Sequence, residues 1–201
     1  MHATPHAKSF TAAGWLFEMM LDRFRALARR RGAAVELLSR TGRRMGNECP
    51  EIINALERTA GEWVLDAELV VPDGRGHPSF ESTRRRAVMR RRSSIITAAA
   101  ETPAALCVFD VLVIRGRDVR ALPLAERKAR LRDLVPDIRG VQIVSSLESH
   151  GEALFNQAVK LDIEGTVAKR LDAPYSAGGQ LAWLKIKDRN YSRQEALGFR
   201  Q

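Results

Sequence analysis

Residues 106–114 read Leu-Cys-Val-Phe-Asp-Val-Leu-Val-Ile. Such a continuous run of β-branched and aromatic side chains predicts a buried strand. Asp110 inside it would cost several kcal/mol if unpaired, so a cationic or hydrogen-bonding partner is expected. By strand alternation Phe109 points to the opposite face, either as plain core or as a stacking platform for a base. Upstream, Trp63 to Val71 has the same strand pattern, and Pro-Asp-Gly-Arg-Gly (72–76) is a turn signal. Short apolar or alternating runs at Trp15 to Met19, Phe24 to Arg29 and Val35 to Ser39 add strands, with Gly32 dividing a hairpin. Downstream, Val141 to Val144, Gly165 to Lys169 and Trp183 to Lys187 complete the set.

Helices are expected between these strands. Cys49-Pro50 opens a stretch with apolar residues at 52, 53 and 56, helix spacing with proline in the first turn. Ser79 can cap a helix running through Glu81 to about Arg92. Leu124 to Leu134 carries helical periodicity with i,i+4 charge pairs such as Glu126–Arg130, and Ala153 to Leu161 reads as a helix. The elements alternate without a regular βαβα cycle. The prediction is an α+β fold with largely antiparallel sheets flanked by helices.

The chain has 201 residues, enough for one well-cored domain, and 45% of them are hydrophobic, which argues against wholesale disorder. No apolar run approaches the roughly 20 residues that cross a bilayer, and the first residues lack the apolar core of a signal peptide. The expectation is a cytoplasmic bacterial protein, associated with the nucleoid at most, with no membrane partner. Cys49 and Cys107 are far apart and the four histidines are scattered, so no zinc-type cluster is expected and the thiols read as reduced and buried. The net charge of +9, mostly arginine, fits a polyanionic partner, although coding bias toward arginine and alanine accounts for it equally well.

Several short segments are ambiguous taken singly. Lys185 and Lys187 lie two apart in a strand and so project together, which suits either a bound phosphate or an edge strand protected by charge. Asp66 and Glu68 also share a face, where paired carboxylates hold a metal or a ribose hydroxyl or simply remain solvated. Ser39-Arg40-Thr41-Gly42 is a turn with an arginine held out.

Their order and spacing carry more. The wording Trp15-Leu16-Phe17-Glu18, Leu38-Ser39-Arg40, Leu65-Asp66-Ala67-Glu68-Leu69-Val70, Ser79-Phe80, Phe109-Asp110-Val111-Leu112, Glu164-Gly165-Thr166-Val167-Ala168-Lys169-Arg170, Pro174-Tyr175 and Trp183-Leu184-Lys185-Ile186-Lys187 runs from about residue 14 to 193. This series resembles the nucleotidyltransferase (adenylation) domain of ATP-dependent DNA ligases, a fold shared with mRNA capping enzymes and RNA ligases. The bacterial end-joining ligases are the most similar.

The resemblance implies a lysine that attacks the α-phosphate of ATP, followed by transfer of AMP to the 5′-phosphate of a nick and sealing by the 3′-hydroxyl. The motif carrying that lysine has the form Lys-x-Asp-Gly-x-Arg. Here the stretch is Met20-Leu21-Asp22-Arg23-Phe24-Arg25: Asp22 and Arg25 remain, Met20 replaces the lysine and Arg23 the glycine. A thioether is a weak nucleophile toward phosphorus and carries no charge. The other amines of note, Lys8 and Lys169, stand elsewhere in the pattern. By similarity, the Glu18 backbone lies beside the adenine, Phe109 stacks on it and Glu68 holds the ribose. Glu164 helps to hold Mg²⁺. Lys185 and Lys187 grip the α-phosphate, and Arg25 and Arg40 contact phosphate, including that of the nick. Further departures are Ala67 between the paired acids and Gly179 where an arginine follows Gly178 in the family.

The segment Arg84-Arg85-Arg86-Ala87-Val88-Met89-Arg90-Arg91-Arg92 is expected to track a DNA backbone without sequence preference, the alternative being a solvated helix face. Asp188 to Gln201 are too few for an OB-fold barrel, so the expectation is a single adenylation domain over 1–201. The implied ligands are ATP or AMP, Mg²⁺, and nicked or broken duplex DNA, with other repair proteins as partners. The implied function is a ligase-family domain impaired in lysyl-adenylate formation. The competing readings are a working enzyme, including one that seals nicks already adenylated, and a non-catalytic nick- or end-binding protein.

Overall fold

The computed structural model describes residues 2–21, 24–74, 78–135, 137–176 and 179–192. Asp22, Arg23 and Gly178, and the Arg75-Gly76 part of the 72–76 turn, lie outside the described residues. Five helices and twelve strands are assigned among the described residues, in two mainly antiparallel sheets. The chain divides into two compact units, and the boundary runs through one helix at Arg127.

One unit comprises 1–21, 120–127 and 144–201. Its five-stranded sheet has the order β1 (His2–His6), β12 (Gly179–Lys187), β11 (Gly165–Arg170), β2 (Trp15–Met19), β10 (Ser146–Glu148). Alternation turns Phe17, Ala168, Leu184 and Ile186 to one face, where they form a core with Leu154 of α5 (Gly151–Lys160). Phe10, Trp15, Met19 and Phe155 pack around it. Gly151 opens α5 where a Cβ would run into the Phe10 carbonyl and the Phe17 ring, so helix and strand meet there only through glycine.

The other unit comprises 22–119 and 128–143. Its sheet runs β4 (Ala34–Ser39), β3 (Arg25–Arg31), β5 (Trp63–Pro72), β7 (Ala105–Ile114), β8 (Arg117–Asp118). The short β6 (Pro78–Ser79) pairs with β5, and β9 (Val141–Ile143) lies parallel to β7. The expected hairpin forms between β3 and β4, with Gly32 at φ 57°. α1 (Pro50–Leu56) starts at its proline and buries Ile52, Ala55 and Leu56. The indole of Trp63 donates to the Thr59 hydroxyl at 3.0 Å, so a fully buried indole keeps its bond.

The expected helix from Glu81 to about Arg92 divides into two. The Ser79 hydroxyl caps α2 (Phe80–Ala87) by accepting from the Ser82 amide at 3.2 Å. Thr83 then pins α2 to β5: its hydroxyl donates to the Ser79 carbonyl and accepts from the Val71 amide. Val88 leaves helical geometry at φ −108°, ψ 2°. α3 (Arg92–Glu101) follows, a helix that the uncharged, small-residue stretch 93–100 did not announce, since only Ile95 is buried. α4 (Leu124–Leu134) matches its expected span. The strands missing from the sequence reading are β1, β6, β8 and β10, of two to five residues each. No helix among the described residues is long and apolar enough to cross a membrane.

Candidate functional site

In the first unit, the face of the sheet opposite α5 carries the motif residues. Cross-strand register sets them in rows. Glu18 lies opposite Val167, and Val167 opposite Lys185; Leu16 lies opposite Lys169, and Lys169 opposite Trp183. One row further, the Met20 amide donates to the Gly165 carbonyl at 2.9 Å, and Gly165 pairs with Lys187. Paired residues of an antiparallel sheet share a face, so Glu18, Met20, Lys169, Lys185 and Lys187 all project to this side.

Two of the lysines on this face are paired with acids. Lys169 is 2% exposed, and its ammonium donates to the Glu18 carboxylate at 2.5 Å. The same ammonium sits 4.2 Å from the centre of the Trp183 ring, a cation–π contact in a dry setting. Trp183 meets Tyr175 edge-on, and the buried Arg127 lies over Tyr175 at 5.9 Å while donating to the Leu122 and Ala173 carbonyls. Lys187 is half exposed and bonds the Glu164 carboxylate. Glu164 is buried, and its Oε2 has no hydrogen-bond partner. Met20 is buried with 2% exposure. The stack from Arg127 to Glu18 escaped sequence reasoning. Its signal was the alternation of Val167 and Lys169 opposite Lys185 and Trp183.

In the second unit, Arg25, Glu68 and Cys107 form one row across β3, β5 and β7, and Leu27, Asp66 and Asp110 the next. Arg25 grips the fully buried Asp66 with two bonds of 2.9 and 2.5 Å. Register shifts leave Phe109 and Leu112 as extra residues on β7. The simple alternation expected for Phe109 and Asp110 therefore fails. The bulge brings the Phe109 ring to within 5.7 Å of the Arg25 guanidinium, on the side that holds Asp66. Arg25, expected to contact phosphate, has Nε and one terminal nitrogen committed to Asp66. Asp110 accepts from the Val111 amide at 2.9 Å, so the carboxylate expected to need a partner has one. Arg40 is exposed in a turn closed by the bond from the Gly42 amide to the Ser39 carbonyl.

The arginine segment is corrected at one position. Arg86 is 1% exposed: its guanidinium bonds Glu51 at 2.5 Å and the Ala98 and Thr102 carbonyls at 2.6 Å, tying α3 to α1. It faces the interior because α2 ends one residue later and its inner face packs on β5. Arg84, Arg85, Arg90, Arg91 and Arg92 are exposed. Arg90 also reaches the buried Glu48, sharing its Oε1 with Arg43. Both thiols are buried and free. Burial, with the nearby Glu51 charge, pushes Cys49 up to about 12, and burial pushes Cys107 up to about 11.

Comparison with known proteins identifies the family and the fold. Residues 3–187 match the model of the ATP dependent DNA ligase domain. A probable DNA ligase of Streptomyces coelicolor is 38% identical over 177 residues, covering 85% of this chain and 34% of that protein. DNA ligase C1 of Mycolicibacterium smegmatis is 33% identical over 197 residues, 94% of this chain and 56% of the relative. This chain thus spans between a third and three fifths of these relatives' lengths. Among solved structures, mycobacterial DNA ligase D complexed with ATP and MES aligns with a TM-score of 0.69 at 30% identity, over 92% of this chain and 60% of that one. The bacteriophage T7 ligase complex with ATP, at 16% identity and a TM-score of 0.62, shares the fold. The chain belongs to the ATP-dependent DNA ligase family and has the nucleotidyltransferase fold of its adenylation domain.

Proposed function

We propose that this chain is a ligase-family adenylation domain of DNA repair and end joining, and that it is impaired in forming the lysyl-adenylate. The observation that carries the reading is the side chain at position 20, an uncharged and buried thioether on a motif face that otherwise keeps its lysines and acids. A thioether has no nitrogen with which to form a phosphoramidate and no charge to steady a phosphate.

The remaining residues support nucleotide binding. Lys185 and Lys187 supply two ammonium groups to an α-phosphate, and Glu68 a carboxylate to a ribose. A Mg²⁺ ion fits this donor set: it takes oxygen ligands, keeps several waters, and asks the protein for one or two carboxylates. Glu164, with a buried oxygen that has no partner, is the carboxylate that would hold it, and the ion would neutralise charge on the phosphates. Asp22 would act close to the missing nucleophile. The exposed Arg40, Arg84, Arg85, Arg90, Arg91 and Arg92 support contact with the backbone of nicked or broken DNA.

The test uses α-labelled ATP and Mg²⁺. The chain as it stands is expected to take covalent label far more slowly than the Met20→Lys, Arg23→Gly variant. Equal and rapid labelling of both would overturn the impairment, and failure of the variant to label or to bind ATP would overturn the adenylation reading. A non-catalytic nick-binding role, favoured by the five exposed arginines around α2 and α3, would then lead.

A further inference from the structure

We propose that Lys187 has taken over as the nucleophile, so that the slow AMP transfer left to this chain passes through its amine and the cationic grip on the α-phosphate falls to Lys185. This inference rests on the adenylation reading above and names the group that acts at that site. Met20, the residue after β2, forms one row with Gly165 of β11 and Lys187 of β12, on the face that carries the motif side chains. Two strand spacings separate the two ends of the row, roughly 10 Å. Its middle member is a glycine, so no side chain stands on the sheet between position 20 and Lys187. A flexible four-carbon stem can swing across that gap.

The other amines on this face are less suited. Lys169 is closed under Trp183 and paired with Glu18, with 2% of its side chain exposed. It also lies four residues along the strand from the row of Met20, opposite Leu16. Lys185 lies one row away, beside Val167. Lys187 keeps 53% of its side chain exposed and is steered by one bond to the buried Glu164.

In the transfer, the unprotonated Nζ of Lys187 forms a bond to the α-phosphorus of ATP. The bond from that phosphorus to the oxygen bridging to the β-phosphate breaks, and its electron pair leaves with pyrophosphate. The proton that the ammonium sheds beforehand, and the one that the new phosphoramidate nitrogen sheds afterwards, pass to water at this half-exposed position. No oxidant or reductant takes part.

The experiment incubates the intact chain with α-labelled ATP and Mg²⁺, digests it, and locates the AMP adduct by tandem mass spectrometry. The expected result is an acid-labile, alkali-stable adduct on the peptide holding Lys187. Lys187→Arg keeps the cation, and is expected to bring label to background while still binding a fluorescent ATP analogue. An adduct on Lys8, Lys169 or Lys185 overturns the proposal, as does no adduct at all. The Met20→Lys, Arg23→Gly variant separates the two possible failures. Label at position 20 in that variant keeps the adenylation reading while Lys187 is rejected; absence of both label and ATP binding rejects the two together.

Discussion

Asp66 shows how a single buried carboxylate organises this motif. It is fully enclosed, yet Arg25 reaches it with two bonds and brings its guanidinium against Phe109. Removing one partner of such a pair leaves the other charge without its counterion. Asp66→Ala is therefore expected to cost about 3 kcal/mol in urea unfolding and to raise the Kd for ATP by freeing Phe109. Unchanged stability would mean that Arg25 finds water or another acid at no cost. The two thiols make a prediction of opposite character. Their folded-state pKa values, about 12 and 11, lie above the ordinary thiol range. The folded chain thus holds thiol protons that the unfolded chain has lost. The stability they lend is full below the ordinary thiol pKa and is lost as pH rises through that value toward 11 and 12. Stability measured across this alkaline window should fall less steeply in the Cys49→Ala, Cys107→Ala variant than in the parent chain.

The α2–α3 segment separates arginines that hold the fold from arginines that face solvent. Arg86 has three partners, on α1, α3 and the residue after α3, so Arg86→Ala is expected to cost about 3 kcal/mol and to speed amide exchange over 92–101. Arg84→Ala and Arg91→Ala, at exposed positions, are expected to change stability by less than about 0.5 kcal/mol. If Arg86→Ala left exchange in α3 unchanged, the tie from α3 to α1 would lie elsewhere. The bulge at Phe109 belongs here as well. It is a property of the pairing of β5 with β7, and it turns one residue of an apolar run toward Arg25 without any local turn former.

Across the molecule, the +9 charge predicts how strongly the proposed binding to DNA depends on salt. Each phosphate neutralised adds about 0.9 to the slope of log affinity against log salt. Replacing Arg84, Arg85, Arg90, Arg91 and Arg92 with glutamine is expected to flatten that slope by up to about 4.5 and to weaken nicked duplexes of any sequence alike. A slope that stays the same would place the DNA contacts on other residues, Arg40 first. Lys187, where AMP transfer is proposed, lies outside this segment, so label transfer in this variant should match the parent when no DNA is present.

The α+β class and most of the longer elements were legible from local patterns, and the resemblance to the family from the wording and order of its motifs, whereas the short β1, β6, β8 and β10 and the helix α3 were not. Alternation in Trp183–Lys187, the proline that opens α1 and the Ser79 cap are local properties of the chain, carried by backbone geometry that needs no distant partner. Met20 in place of the lysine was visible for the same reason, since it is a matter of identity at one motif position. The break of the arginine helix at Val88, the bulge at Phe109, the inward turn of Arg86 and the Lys169–Glu18 pair depended on partners up to 151 residues away. Those outcomes belong to the tertiary structure, because a long side chain with several possible counterions settles on the one that folding brings within reach.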